Sequence, residues 1–257
     1  MEFHDISFSY QTKEPFIKKL SGIIPKQQIT SIIGPNGSGK STLLSLLARN
    51  QRIQTGNINL HNKDLYSYKA KELAKEIAVV YQSNQTTDDM KVEDLIRFGR
   101  LPHKSIWKKD SKEDERAIDW AIQCMHLEAY RSSYLNELSG GQRQRVWIAM
   151  SLAQKSDILF LDEPTTYLDI YHQIELLQLI STLNETYGIT IVMVLHDINQ
   201  AYRYSDQVIL MKNGSIVCNG SPSEVITAKN IKEIYQVDIF VNQQKDNGGS
   251  YIVPLGI

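Results

Sequence analysis

Residues 34–41 read Gly-Pro-Asn-Gly-Ser-Gly-Lys-Ser, and this octapeptide restricts the possible folds more than any other stretch of the chain. Glycine at 34, 37 and 39 lets the backbone curl so that several N–H groups point inward at an anion. The preceding run, Ile29-Thr30-Ser31-Ile32-Ile33, is apolar and β-rich, and the following one, Ser41 to Arg49, places Leu43, Leu44, Leu46 and Leu47 at helical spacing. Strand, glycine loop and helix is the context that a phosphate-binding loop requires. Lys40 is then expected to reach the β- and γ-phosphates of a nucleotide, and the Ser41 hydroxyl to bind Mg²⁺. The first turn of the helix adds its positive end. Gly34, Pro35, Asn36, Gly37, Ser38, Gly39 and Thr42 complete the expected nucleotide cradle.

Two further motifs carry chemistry. Ile158-Leu159-Phe160-Leu161-Asp162-Glu163 is a buried-strand pattern that ends in two carboxylates. Asp162 suits a Mg²⁺ shell, directly or through water, and Glu163 stands one residue on, where it can polarise an attacking water. Leu138-Ser139-Gly140-Gly141-Gln142 precedes a helix expected to begin near Gln142. Its hydroxyl and glycine N–H groups make a second anion-binding helix start.

The rest of the chain frames these motifs. Phe3, Ile6 and Phe8, then Ile17, Leu20 and Ile23, predict short strands of an antiparallel edge sheet. The spacing of Ala117, Ile118, Ala121, Ile122 and Met125 predicts a helix over 110–130, with Asp110 and Ser111 as candidate caps. Residues 84–140 read as a helical insertion. A helix over Ile174–Leu183 between apolar runs at 158–162 and 189–195 gives a βαβ alternation and favours a parallel sheet. Asn213-Gly214 predicts a hairpin turn, and residues 244–250 a loose surface loop. With 28 basic and 29 acidic residues and net charge -1, no global charge bias points to nucleic acid. Cys124 and Cys218 lack pairing or ligand spacing and read as buried free thiols. Met1-Glu2-Phe3-His4-Asp5 is charged where a secretory signal would turn apolar, and no run reaches the ~18 apolar residues of a membrane helix. A cytosolic chain that meets a membrane only through a partner is expected.

Taken in order, the loop 34–41, Gln82, the stretch 138–142, the strand 158–163, Asp169 and His196 resemble the ATP-binding-cassette transporter ATPases from end to end. The resemblance implies an α/β fold: a P-loop NTPase core with a mainly parallel sheet, an N-terminal antiparallel β subdomain and an inserted α-helical subdomain. It implies a single ATPase domain over 1–257, with 1–83 and 143–257 as core and about 84–142 as the helical, signature-bearing part. Glu163 becomes the general base and His196 a γ-phosphate contact. Gln82 becomes a Mg²⁺ contact that senses the membrane subunits. An aromatic side chain stacks on adenine, Tyr10 being the choice and Phe16 the alternative. Ser139, Gly140, Gly141, Gln142 and Asp169 act across a head-to-tail dimer that sandwiches two ATP molecules.

Gly99-Arg100-Leu101-Pro102-His103, Tyr167 and the segment 220–226 with Ile234-Tyr235 are similar to the importers of iron–siderophore complexes, haem and cobalamin. Ferric-siderophore import is the expected function, with permease subunits as partners and an extracytoplasmic binding protein as an indirect one. The place is the cytoplasmic face of a bacterial membrane, with no nucleic acid involved. Haem, cobalamin or metal-ion import and soluble iron–sulfur assembly are the alternatives. The turn 99–103 is read as exposed beside Gln82, where a permease would dock.

Overall fold

The structure is a computed structural model that describes residues 1–10, 15–84, 89–104, 111–242 and 251–257. Asp110, offered as a cap, and the expected loop 244–250 lie outside the described residues. Tertiary contacts divide the chain into two compact units, Met1–Ser67 with Ile191–Ile257, and Tyr68–Thr190.

The first unit opens with β1 (Glu2–Phe8) and β2 (Ile17–Ile23), which pair antiparallel. Phe3, Ile6 and Phe8 are all buried although Phe3 and Ile6 are an odd number of residues apart. The register slips between them, with Asp5 at φ 47, and this bulge turns both side chains to one face. β3 (Ile29–Ile33) is buried at every position, as a strand covered on both faces must be. The phosphate-loop motif follows it and leads into α1 (Lys40–Leu47), which starts one residue earlier and ends two residues earlier than the sequence suggests. β4 (Thr55–Leu60) pairs antiparallel with β1, and β5 (Lys63–Asp64) pairs with β4.

The second unit holds α2 (Ala70–Glu76), β6 (Ile77–Val80), α3 (Val92–Phe98), α4 (Lys112–Cys124), α5 (Gly140–Ala153), β7 (Ile158–Asp162) and α6 (Ile170–Tyr187). β6 and β7 run parallel, with Ile77 opposite Ile158 and Val80 opposite Leu161. Helices α3, α4 and α5 pack on one another. Ser111 does cap α4: its hydroxyl accepts the Asp114 N–H at 3.1 Å, and its own N–H donates to Asp114 Oδ2 at 2.9 Å. The predicted helix over 110–130 stops at Cys124, however. His126 takes φ 51, which no helix interior accepts, and Glu128–Tyr130 forms a separate 3-10 turn. Met125 and Leu127 are fully buried on either side of the break, so the apolar pattern runs through it unchanged. α6 extends beyond the predicted 174–183 because its first turns expose Ile170, Tyr171 and Ile174 and show no inward stripe.

The first unit resumes with β8 (Thr190–Val194), α7 (Ile198–Tyr204), β9 (Gln207–Lys212), β10 (Ser215–Gly220), α8 (Pro222–Val225), α9 (Ala228–Tyr235), β11 (Asp238–Asn242) and β12 (Tyr251–Gly256). β3 is central, with β8 and β9 parallel on its two sides. β9 and β10 form a hairpin closed by Asn213 and Gly214 at φ 48 and 73, the two left-handed residues of a type I′ turn. The parallel pairings within each unit bear out the α/β class. Cys124 and Cys218 are free and half-buried rather than buried. Among the described residues no helix is long and apolar enough to cross a membrane.

Candidate functional site

The site residues fall on both units, and each group has its own geometry. In the first unit, β3 delivers Gly34 and the loop turns through Gly37 at φ 75 and Gly39 at φ 103 into α1. The loop is packed from below: a Cβ on Gly34 would lie 2.3 Å from the Met211 carbonyl oxygen and 2.7 Å from Ser38 Oγ. No residue but glycine fits there. The Ser38 carbonyl accepts the Gly214 N–H at 2.9 Å, which ties the loop to the β9–β10 turn. α1 has no side-chain cap, so its first N–H groups remain directed at the loop. Lys40 is buried and folds over the loop, donating through Nζ to Gly34 O at 2.9 Å and Pro35 O at 3.1 Å.

Tyr10 shares a 2.8 Å hydrogen bond with the Thr42 hydroxyl on the first turn of α1, while its ring is 63% exposed. Phe8 meets that ring edge-on at 4.8 Å and Phe16 lies 5.6 Å away, so the two candidate adenine-stacking aromatics belong to one cluster. His196 stands exposed just past β8. Asp197 after it caps α7 by accepting from Asn199 and Gln200 N–H.

In the second unit, β7 ends in Asp162, and Glu163 follows in the left-handed region at φ 51. A non-glycine residue rarely adopts that conformation, and such strain collects at functional sites. Hydrogen bonds hold it. Gln82 Nε2 donates to Glu163 Oε2 at 2.6 Å, Thr166 Oγ1 donates to the same oxygen at 3.1 Å, and Thr166 N–H donates to the Glu163 carbonyl at 3.2 Å. Gln82 and Glu163, 81 residues apart in sequence, are thus brought together. Thr166 was not foreseen; its only signal was a hydroxyl three residues past Glu163.

Ser139 caps α5, accepting the Gln142 N–H at 3.3 Å, while its own N–H donates to Gln142 Oε1 at 2.8 Å. A Cβ on Gly140 would meet open space, whereas one on Gly141 would lie 2.9 Å from the His172 ring. His172 in turn donates its backbone N–H to Asp169 Oδ1 at 2.9 Å, and its ring Nδ1 lies 2.8 Å from the same oxygen. These bonds, the backbone one foremost, hold the exposed Asp169 carboxyl below the usual carboxylate range. His172 therefore links Asp169 to the 139–142 turn, a role that sequence reasoning missed.

The turn 99–103 needs correction. Arg100 is 2% exposed and cannot greet a partner. Its Nε donates to Asp114 Oδ1 at 2.7 Å and its Nη1 to the Ala153 carbonyl at 2.8 Å. α3 stops at Phe98, and Pro102 sits inside a 3-10 turn over Leu101–His103. Leu101, 60% exposed, is what this turn presents outward.

Known proteins are similar to this chain in sequence and fold. A family model described as ABC transporter matches residues 17–166. The petrobactin import ATP-binding protein FpuC of Bacillus anthracis is 48% identical over 220 residues, covering 85% of this chain and 81% of that protein. The ferric enterobactin transport ATP-binding protein FepC of Escherichia coli K12 is 44% identical over 233 residues, covering 91% and 86%. A solved dimer of MJ0796, a bacterial ABC transporter cassette, superposes with TM-score 0.74 at 28% identity, covering 86% of this chain and 98% of that one.

Proposed function

We propose, from the fact that this chain belongs to the ABC transporter family, that it is the ATP-hydrolysing subunit of a bacterial ferric-siderophore importer. The cargo reading rests on relatives named for petrobactin and ferric enterobactin import. The catalytic reading rests on one observation above the others: a strained carboxylate at a strand end, Glu163, gripped by Gln82 and Thr166.

In this reading the loop 34–42 binds the phosphates of ATP, and Tyr10 stacks on the adenine. Lys40 leaves the Gly34 and Pro35 carbonyls for the β- and γ-phosphate oxygens. Glu163 accepts the proton of the water that attacks the γ-phosphorus, and the bond to the ADP oxygen breaks. His196 contacts the γ-phosphate. The Ser41 hydroxyl, the Gln82 amide oxygen and the Asp162 carboxylate each offer the oxygen donor that a hard cation takes, so these three would hold Mg²⁺. When bound, Mg²⁺ would neutralise charge on the phosphate oxygens.

A second copy completes the site, bringing Ser139, Gly140, Gly141, Gln142 and Asp169 to the far side of the nucleotide. The surface around Asp169 supports this: Tyr167 is 91% exposed, Ile170 75% and Tyr171 68%, an apolar area suited to being covered. Residues 1–83 and 143–257 act as the core, and 84–142 as the helical part that follows the permease. The pair sits at the cytoplasmic face of the membrane, coupled to permease subunits and, through them, to an extracytoplasmic binding protein.

Uptake of labelled ferric siderophore in cells lacking this chain tests the cargo. Wild type should restore uptake and Lys40→Ala should not. Intact siderophore uptake together with lost haem or cobalamin uptake would sink the assignment. In vitro, Lys40→Ala should weaken ATP binding by about 10- to 100-fold, the weight of hydrogen bonds to a charged group. Titration with a fluorescent ATP analogue reads it, and unchanged affinity would remove Lys40 from the nucleotide site.

A further inference from the structure

His172, half-buried at the start of α6, stands between Asp169 and the 139–142 turn. Nδ1 and Cδ2 leave Cγ on opposite edges of the imidazole, and the two edges face different groups. Nδ1 lies 2.8 Å from Asp169 Oδ1. An ionised carboxylate can only accept, so Nδ1 carries the proton. On the other edge, a Cβ added to Gly141 would lie 2.9 Å from Cδ2 and 3.1 Å from Cγ, which puts the ring directly on the glycine. The Tyr171 ring stands at right angles to the imidazole, its centre 5.3 Å away. One turn further along both helices, Arg145 Nη1 donates to Glu175 Oε1 at 3.2 Å, so the seat of α5 on α6 does not depend on His172 alone. The exposed Asp169 carboxylate, in contrast, is aimed by the imidazole and by backbone N–H groups at the start of α6.

We propose that His172 is a positioning residue. Through Nδ1–H it sets the Asp169 carboxylate at a fixed place relative to the Gly140-Gly141 turn, so that one chain offers both to the nucleotide of a second copy as a preset surface. Presetting lowers the ordering cost when the two copies close. His172 acts through Asp169, so the effect falls on pairing and not on the binding of ATP by a single chain at residues 34–42. The inference rests on the reading of residues 139–142 and Asp169 as the groups that act across the pair.

Leucine and asparagine both branch at Cγ as the imidazole does, but only asparagine keeps a donor where Nδ1 stands. In the Glu163→Gln chain, where ATP should give a stable pair, His172→Leu should raise the chain concentration needed for pairing about ten-fold, the low end for a hydrogen bond to a charged group. His172→Asn should keep pairing within about two-fold of the parent. Light scattering against chain concentration at saturating Mg·ATP reads this. A fluorescent ATP analogue, titrated below the pairing concentration, should bind the parent and both variants alike. Leucine and asparagine variants that pair equally well, or equally poorly, overturn the proposal, as does weaker ATP binding by the single chain of His172→Leu. Asp169→Ala separates the two levels. It should weaken pairing, and adding His172→Leu to it should weaken pairing no further; additive losses overturn the proposal. If Asp169→Ala weakens pairing and His172→Leu does not, the cross-pair role of Asp169 stands and the positioning role fails. If Asp169→Ala pairs like the parent, the cross-pair reading fails and the proposal falls with it.

Discussion

Glu163→Gln is expected to lower ATP hydrolysis by about 10²- to 10⁴-fold, the range for loss of a positioned general base. ATP binding should survive. The amide keeps the size of the carboxylate, and its carbonyl oxygen can still accept from Gln82 Nε2 and Thr166 Oγ1, which now meet at Glu163 Oε2. The left-handed backbone at residue 163 therefore has the same supports, and the substitution isolates proton acceptance from geometry. With hydrolysis blocked, the closed pair should accumulate on adding ATP. Phosphate release, measured beside ATP affinity and light scattering, gives the three readouts. Wild-type turnover in Glu163→Gln would remove Glu163 from the reaction.

What was legible in the sequence was whatever local spacing decides. The curl at residues 34–41, the hairpin turn at Asn213-Gly214 and the carboxylates closing β7 each depend on a few neighbouring residues, and each is where the spacing puts it. The ordered motif set also carried the family, because order along a chain survives without any tertiary knowledge. What stayed illegible depends on residues far apart. α4 ends at Cys124 although its apolar stripe continues to Met125, because both sides of the break are buried and periodicity reads burial. Thr166 and His172 looked like ordinary polar residues. Their importance comes from the side chains they meet, Glu163 for one and Asp169 with Gly141 for the other. Arg100 was misread as exposed for the same reason, since its carboxylate partner lies 14 residues on and its carbonyl acceptor 53 residues on.

That arginine gives the largest expected effect on stability. Side-chain exposure is 2% for Arg100 and 8% for Asp114, so neither charge is compensated by water. Replacing Arg100 by Met fills much of the same space but leaves the Asp114 carboxylate buried with, among the described residues, only Ser111 to bond it, and removes the Arg100 donor from the Ala153 carbonyl. Breaking one side of a buried ion pair costs about 3–5 kcal/mol. Urea unfolding of Arg100→Met should show a loss of that size, and an unchanged midpoint would mean that the pair contributes nothing.

The pH dependence gives a second handle on the same pair. Burial pushes the Asp114 carboxyl up, but the Ser111 amide, the Arg100 guanidinium and the Ser111 hydroxyl together outweigh it and hold the group at about 2, below its ordinary 3.8. A carboxyl depressed by folding stabilises the protein above its unfolded value. Here roughly 2 kcal/mol is present above pH 3.8 and is lost as pH falls towards 2. Without the guanidinium, the carboxyl no longer stays so low, and the acid-sensitive window must move to higher pH. Urea midpoints of wild type and Arg100→Met across the acid range should therefore diverge most above pH 3.8 and converge below it. Parallel curves over that range would show that the guanidinium does not hold the Asp114 proton off.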